Sequence, residues 1–90
     1  MSMPEIRVTD HAREEARRRG IPGEVILDVA RHPEQVVPGY GGREVRQSRV
    51  AFPPQNQLYL VRVITEMDGA AFRVVTVYRT SQIAKYWRST

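Results

Sequence analysis

The fold of this chain is decided by the segment FRVVTVYRTSQIAKYWR, which spans residues 72–88. Over residues 72–79, one side of the alternating pattern carries Phe, Val, Thr and Tyr and the other carries two arginines and two valines, so both sides contain apolar residues. This pattern predicts a strand inside a sheet rather than at its edge. Thr80 or Ser81 can then cap a helix by accepting a free backbone N–H. We therefore expect a strand followed by a C-terminal helix that reaches about Trp87.

Further strands are indicated upstream of this segment. Residues 43–51 alternate and have one strongly polar face, and residues 57–65 alternate more clearly. The Asp-Gly pair within residues 67–70 is a strong hairpin signal. Residues 34–37 can form a first strand, and residues 6–8 are either a short edge strand or an apolar lead-in. The sequence predicts three or four antiparallel strands joined by tight turns.

Two helices are predicted before these strands. The first begins at a cap provided by Thr9 or Asp10 and ends at Gly20, which is a good terminator. The second runs from Pro22 to His32, because proline suits a first helical turn and the residue before Pro33 avoids helical geometry. Helices segregated from an antiparallel meander make an α+β domain. We expect residues 1–90 to form one such domain, with two N-terminal helices packed on the sheet.

Composition narrows the class of protein. The chain has 90 residues, no cysteine and a net charge of +4, and Lys85 is its one lysine beside 13 arginines. There is consequently no disulfide framework and no zinc-finger spacing. No apolar run approaches a membrane span and the N-terminus lacks a signal-peptide core. We expect a cytoplasmic protein without a membrane segment or a cofactor.

Arginines recur along all three of the best strands. A high-GC genome would also raise the ratio of arginine to lysine, but it would not explain this recurrence. An unpaired buried guanidinium is costly, so each needs a partner or a wet concave face. One alternative is structural, in which Arg62 pairs with Glu44 or Glu66. The other is a cluster of arginines across one sheet face that receives a polyanion. The strand arginines are Arg43, Arg46, Arg49, Arg62, Arg73 and Arg79.

RNA is the polyanion that such a cluster would suit, because guanidinium groups bind phosphate in a bidentate manner. Aromatic side chains could supply flat surfaces for unstacked bases, although each alone could equally belong to the core or its rim. The candidate RNA-binding residues are Arg43, Arg46, Arg49, Tyr78 and Tyr86.

Histidine is the natural general base. His11 lies in the first turn of the first helix, where the dipole disfavours imidazolium and leaves the ring able to accept a proton. The alternative is an exposed histidine at a helix start, and His32 is a helix-end residue. Two histidines without clustered carboxylates argue against a metal site. The glycine-rich residues 38–42 lack the Lys-Ser/Thr ending of a P-loop and predict a turn.

Several of these motifs, in this order, resemble a bacterial family of small uncharacterised domains. That family looks related to the BrnT and RelE ribonuclease toxins of toxin–antitoxin systems. The resemblance extends from His11 to Trp87. Its motifs are His11-Ala12, Arg19-Gly20-Ile21, Glu24-Val25, Pro33 and residues 75–81.

The resemblance implies a RelE-like fold, metal-independent cleavage of RNA such as mRNA, and inhibition by a small antitoxin protein. Of the residues that would act in such an enzyme, it carries over only Arg79 and the Lys85-Tyr86 pair. The oligomeric state is left open.

The first hypothesis is therefore a toxin-like endoribonuclease, in which the RNA 2′-hydroxyl attacks its own 3′-phosphate. His11 or Glu44 would take the hydroxyl proton, and His11 is preferred. Arg46, Arg62 and Arg79 would stabilise the phosphorane, and Lys85 or Tyr86 would assist the leaving oxygen. The candidate catalytic residues are His11, Arg62, Arg79 and Lys85. The alternatives are a non-enzymatic module of the same fold that binds RNA or an acidic protein, and a structural protein whose arginines are all paired.

Overall fold

Along the chain, two helices follow the first strand and precede the other four strands, and all five strands belong to one sheet. The computed structural model describes residues 5–89. In that range the elements are β1 (Ile6–Val8), α1 (Asp10–Arg18), α2 (Gly23–Arg31), β2 (Gln35–Pro38), a 3₁₀ turn (Tyr40–Gly42), β3 (Glu44–Phe52), β4 (Gln57–Asp68), β5 (Ala71–Thr80) and α3 (Ile83–Tyr86). The α+β class is confirmed, and the two predicted N-terminal helices and three long strands are present.

The sheet has five strands in the order β1-β5-β4-β3-β2. Strands β2 to β5 are antiparallel, whereas β1 pairs with β5 in parallel. The prediction of three or four purely antiparallel strands was therefore wrong, and the sheet is mixed. A three-residue strand is too short to show an alternating pattern, and its partner lies at the far end of the chain. Local sequence signals do not encode such a pairing.

Helix α1 is fixed at both ends. Thr9 is the N-cap, and its Oγ1 accepts a hydrogen bond from the Ala12 backbone N–H at 3.1 Å. The same hydroxyl donates to the Val75 carbonyl of β5 at 3.2 Å. At the other end Gly20 has φ +67°, and the Ile21 N–H reaches back to the Ala16 carbonyl at 2.9 Å. This is the left-handed glycine stop that the sequence predicted.

The main core lies between the two helices and one face of the sheet, which we call the helix side. Val61 and Val63 of β4 and Val77 of β5 are completely buried there, beneath Ala12 and Ala16 of α1. Each buried valine contributes about 1.5–3 kcal/mol of transfer free energy. The small alanines allow α1 to lie close to the sheet.

The predicted C-terminal helix is much shorter than expected. It covers only Ile83–Tyr86, and neither Thr80 nor Ser81 is its N-cap. Thr80 is still paired in β5, and its hydroxyl accepts from the Gln82 N–H at 3.1 Å, which shapes the turn before the helix. Trp87 follows in extended geometry.

A buried amide holds residues 82–89, the C-terminal segment, against the sheet face opposite α1 and α2. We call it the helix-free face because neither of these two longer helices packs on it. Gln47 of β3 has no exposed surface. Its Nε2 donates to Gln35 Oε1 at 2.9 Å and to the Tyr86 carbonyl at 3.2 Å. Gln35 in turn accepts from the Arg88 N–H at 3.1 Å. Because buried polar groups must be satisfied, this network fixes where the segment lies.

Replacing Thr9 with alanine removes the cap of α1 and its hydrogen bond to β5. We expect the free energy of unfolding to fall by about 1–2 kcal/mol, measured by urea denaturation. Ser81→Ala is the matched control, because Ser81 is exposed and its side chain makes none of the hydrogen bonds described for residues 5–89. Equal stability of the two variants would contradict the role given to Thr9.

Replacing Gln47 with leucine removes the hydrogen-bond donor to the Tyr86 carbonyl and the acceptor for Arg62 Nε. We expect a loss of about 1–3 kcal/mol and undocking of the C-terminal segment. Trp87 is the one tryptophan of the chain, so a red shift of its fluorescence in the native baseline would report the undocking. The control is Gln57→Leu at an exposed strand start, and unchanged emission in Gln47→Leu would contradict this role of the network.

Candidate functional site

The strand arginines do not lie on one face of the sheet. Arg62 is in register with Gln47 and Tyr78, on the helix-free face. Arg46 is in register with Val63, and Arg79 with Val61, and these valines belong to the core on the helix side. The expected convergence of Arg46, Arg62 and Arg79 was therefore wrong. Alternation within one strand is visible in a sequence, but the register between strands, which sets the shared face, is not.

Arg46 ties α2 to the sheet. Its Nε donates to the Ala30 carbonyl in the last turn of α2 at 2.6 Å, where the helix dipole favours a cation. The guanidinium also lies 4.8 Å from the Phe72 ring centroid and 3.7 Å from the Glu44 carboxylate. With only 14% of its side chain exposed, Arg46 is engaged by the protein itself.

Three other strand arginines form ion pairs with carboxylates, two of them with the same glutamate. Glu66 accepts from Arg43 at 3.1 Å and from Arg73, and these hydrogen bonds, that from Arg73 foremost, hold the pKa of Glu66 below its ordinary value. Arg49 makes a bidentate pair with Glu34 at 3.1 and 2.8 Å, which likewise lowers the pKa of Glu34. Arg43, Arg49 and Arg73 are thus each held by a carboxylate of the protein itself.

Arg62, in contrast, is held by neutral groups. Its Nε donates to Gln47 Oε1 at 2.9 Å, and one Nη donates to the Tyr78 hydroxyl at 2.5 Å. The guanidinium carbon lies 4.4 Å from the centroid of the Tyr86 ring. The alternative of an ion pair with Glu44 or Glu66 was wrong, and no carboxylate of residues 5–89 lies within 4.0 Å of this guanidinium.

The C-terminal segment brings further candidate residues to Arg62. Lys85 Nζ lies 5.3 Å from the Tyr86 ring centroid, and the Tyr78 and Tyr86 rings meet edge to face at 6.4 Å. We call Arg62, Tyr78, Lys85 and Tyr86 the Arg62 cluster. Two of them were predicted as catalytic and two as RNA-binding. Arg62 and Lys85 each lie near the Tyr86 ring, and Tyr78 contacts both Arg62 and Tyr86.

The remaining two candidates lie on the other side of the sheet. His11 is exposed near the start of α1, which packs over the helix side, so it does not meet Arg62. Arg79 contacts two aromatic rings, with its guanidinium carbon 4.4 Å from the Phe52 centroid and 4.5 Å from the Tyr59 centroid. A single site containing His11, Arg62 and Arg79 is therefore not formed in this chain.

Sequence reasoning missed the residues that support the cluster. Gln47 is the buried acceptor for Arg62, and Trp87 stacks on Arg49 at 4.2 Å. Nothing in the alternation of β3 separates Gln47 from its polar neighbours. The one available signal was a neutral amide amid arginines on that strand.

Between residues 5 and 89, no three His, Cys, Asp or Glu side chains are grouped as metal ligands would be. No helix in that range has both the length and the apolar character to cross a bilayer.

The comparison with known proteins gives one match. Residues 8–79 match the model of a family described as a domain of unknown function, DUF4258. No curated protein and no solved structure matches the chain. The matched range runs from Val8, the last residue of β1, to Arg79 near the end of β5, and it stops before the C-terminal segment. Since this model covers most of the sequence, the chain belongs to the DUF4258 family.

Proposed function

We propose that this protein binds single-stranded RNA at the Arg62 cluster on the helix-free face. One observation carries the proposal. Arg62 is held rigidly by a buried amide and two tyrosines, none of which neutralises its charge. A fixed and uncompensated guanidinium favours a phosphate from outside, because ordering the side chain costs nothing further on binding.

The donor count supports a phosphate ligand. A guanidinium has five N–H groups, and Gln47 and Tyr78 accept one each. About three donors are left, enough for a bidentate contact with a phosphate. Lys85 contributes a second positive charge at the same ring.

The aromatic groups favour RNA over an acidic peptide. Tyr78 and Tyr86 are partly exposed beside the guanidinium, and rings of this kind stack on unpaired bases at about 1–3 kcal/mol per base. An acidic peptide would use the cations and leave the rings without a specific partner. The resemblance to the BrnT and RelE toxins points to the same class of ligand, and it adds a small antitoxin protein as a proposed partner.

Replacing Arg62 with alanine should weaken RNA binding about 10- to 100-fold, as expected for loss of a charged hydrogen-bond pair. The measurement is fluorescence anisotropy with a labelled single-stranded RNA. Arg31→Ala is the matched control, because Arg31 is exposed at the end of α2 and its removal changes the net charge equally. Its affinity should stay within about twofold of the parent protein.

Salt dependence identifies the contact. Loss of one phosphate contact should reduce the slope of log K against log salt by about 0.7 in Arg62→Ala. Parallel slopes and equal affinities in the two variants would contradict the proposed site. Tighter binding of a polyglutamate peptide than of RNA would favour the acidic-protein alternative.

RNA cleavage is the second candidate function, and the hydroxyl of Tyr78 favours it. Its oxygen accepts from Arg62, so its own proton remains to be donated to a leaving 5′-oxygen. Arg62 and Lys85 would stabilise the phosphorane as the 2′-hydroxyl gives its proton to water, the 2′-oxygen attacks phosphorus and the P–O5′ bond breaks. Because His11 lies on the helix side, this form of the proposal does not use it as the base.

Cleavage can be tested with an RNA oligonucleotide and its copy bearing one 2′-deoxy nucleotide at the scissile position. We expect a 2′,3′-cyclic phosphate product from the first only. Lys85→Ala and Tyr78→Phe should slow the reaction about 100-fold or more, whereas His11→Ala should leave the rate unchanged. A strong effect of His11→Ala would contradict this arrangement. If the parent protein also leaves the RNA intact, cleavage is excluded and RNA binding remains as the proposed function.

A further inference from the structure

A second cationic site lies on the helix side, away from the Arg62 cluster. A cavity of about 500 Å³ opens where α1 ends above β4 and β5. Its lining residues are Arg17, Arg18, Arg19, Gly20, Tyr59 and Arg79. We call it the Arg79 cavity.

Arg79 is the ordered cation of this cavity. Its guanidinium lies against both Phe52 and Tyr59, and those two rings pack edge to face at 5.5 Å. Among residues 5–89, no carboxylate lies within 4.0 Å of it and no acceptor is hydrogen-bonded to it. No buried side-chain nitrogen or oxygen in that range lacks a partner, so its free N–H groups face water in the cavity.

The turn after α1 places the other arginines. Gly20 adopts φ +67°, and a β-carbon built there would lie 3.9 Å from an Nη of Arg79. The glycine turn therefore lies directly over the guanidinium. It also fixes the last turn of α1, from which Arg18 and Arg19 project.

The charges around the cavity do not cancel. Arg17 pairs with Glu14, and Arg18 and Arg19 share Glu15. With Arg79, four guanidinium groups meet two carboxylates, a net charge of +2. The three helix arginines are 44–73% exposed, so they can turn toward a ligand at little cost.

We propose that the Arg79 cavity binds a terminal phosphate, the dianionic group of a phosphate monoester. Such a group carries a charge close to −2 at neutral pH, which matches the charge of the cavity. A phosphodiester carries one negative charge and would leave half of the positive charge of the cavity uncompensated. The proposal concerns the opposite face from the Arg62 cluster and does not depend on it.

The test is a titration followed in two-dimensional ¹⁵N–¹H NMR spectra. The probes are inorganic phosphate, adenosine 5′-monophosphate, and an RNA oligonucleotide with or without a 5′-phosphate. We expect saturable shifts of the Gly20, Ile21 and Tyr59 amides. Equal affinity for phosphate and the nucleotide would indicate any terminal phosphate, whereas preference for the 5′-phosphorylated RNA would indicate an RNA end.

Arg79→Gln should weaken phosphate binding about tenfold or more. The control Arg31→Gln removes an equal charge from an exposed side chain at the end of α2. Its affinity for phosphate should stay within about twofold of the parent protein. The double variant Arg18→Gln/Arg19→Gln changes only exposed side chains, and it should weaken binding several-fold. If Arg79→Gln does not fold, the phosphate affinity of this double variant tests the proposal instead.

Two results would overturn the proposal. One is a set of shifts that grow linearly with phosphate and spread over all exposed arginines, which indicates general screening. The other is parental affinity in both a folded Arg79→Gln and the double variant.

Discussion

The hydrogen bond between the Gln47 amide and Arg62 is the constraint on which this account depends. A buried guanidinium can be satisfied by a carboxylate, which cancels its charge, or by a neutral acceptor, which leaves the charge in place. Here the acceptor is a completely buried amide at 2.9 Å. The same amide binds the Tyr86 carbonyl. One side chain thus orients the cation and positions the ring that stacks on it.

The sheet divides the arginines by role. On the helix side, Arg46 donates a hydrogen bond to the end of α2, so its role is structural. Elsewhere, Arg43 and Arg73 share Glu66, and Arg49 pairs with Glu34. Only Arg62 and Arg79 among the strand arginines of residues 5–89 have no carboxylate within 4.0 Å. Both are stacked on aromatic rings instead, which orders them while leaving their charge available.

Local chemistry made much of the fold predictable. The Thr9 cap, the Gly20 stop and the alternating strands all depend on residues close in sequence, and each is present. The pairing of β1 with β5 was not predictable, since it joins the two ends of the chain. The final helix was predicted too long because the Thr80 hydroxyl is used in the preceding turn.

The candidate site was predictable in part, because residue type identifies the side chains that can bind phosphate or stack on bases. Arg62, Tyr78, Lys85 and Tyr86 were named from residue type, and they come together. Placing Arg46 and Arg79 with them required the register between strands, which alternation alone does not supply. The function of Gln47 depends on its three neighbours in the fold, which are Gln35, the Tyr86 carbonyl and Arg62. Only the folded chain makes those neighbours visible.

The most direct measurement compares the RNA affinity of Gln47→Glu with that of Gln47→Leu. Both variants lack the donor to the Tyr86 carbonyl, so both disturb the C-terminal segment alike. Only glutamate gives Arg62 a carboxylate and cancels its charge. The account predicts that Gln47→Glu binds RNA about tenfold more weakly than Gln47→Leu, in proteins shown by their thermal transitions to be folded. Equal affinities would show that the charge of Arg62 is not what RNA binds, and would contradict the central claim.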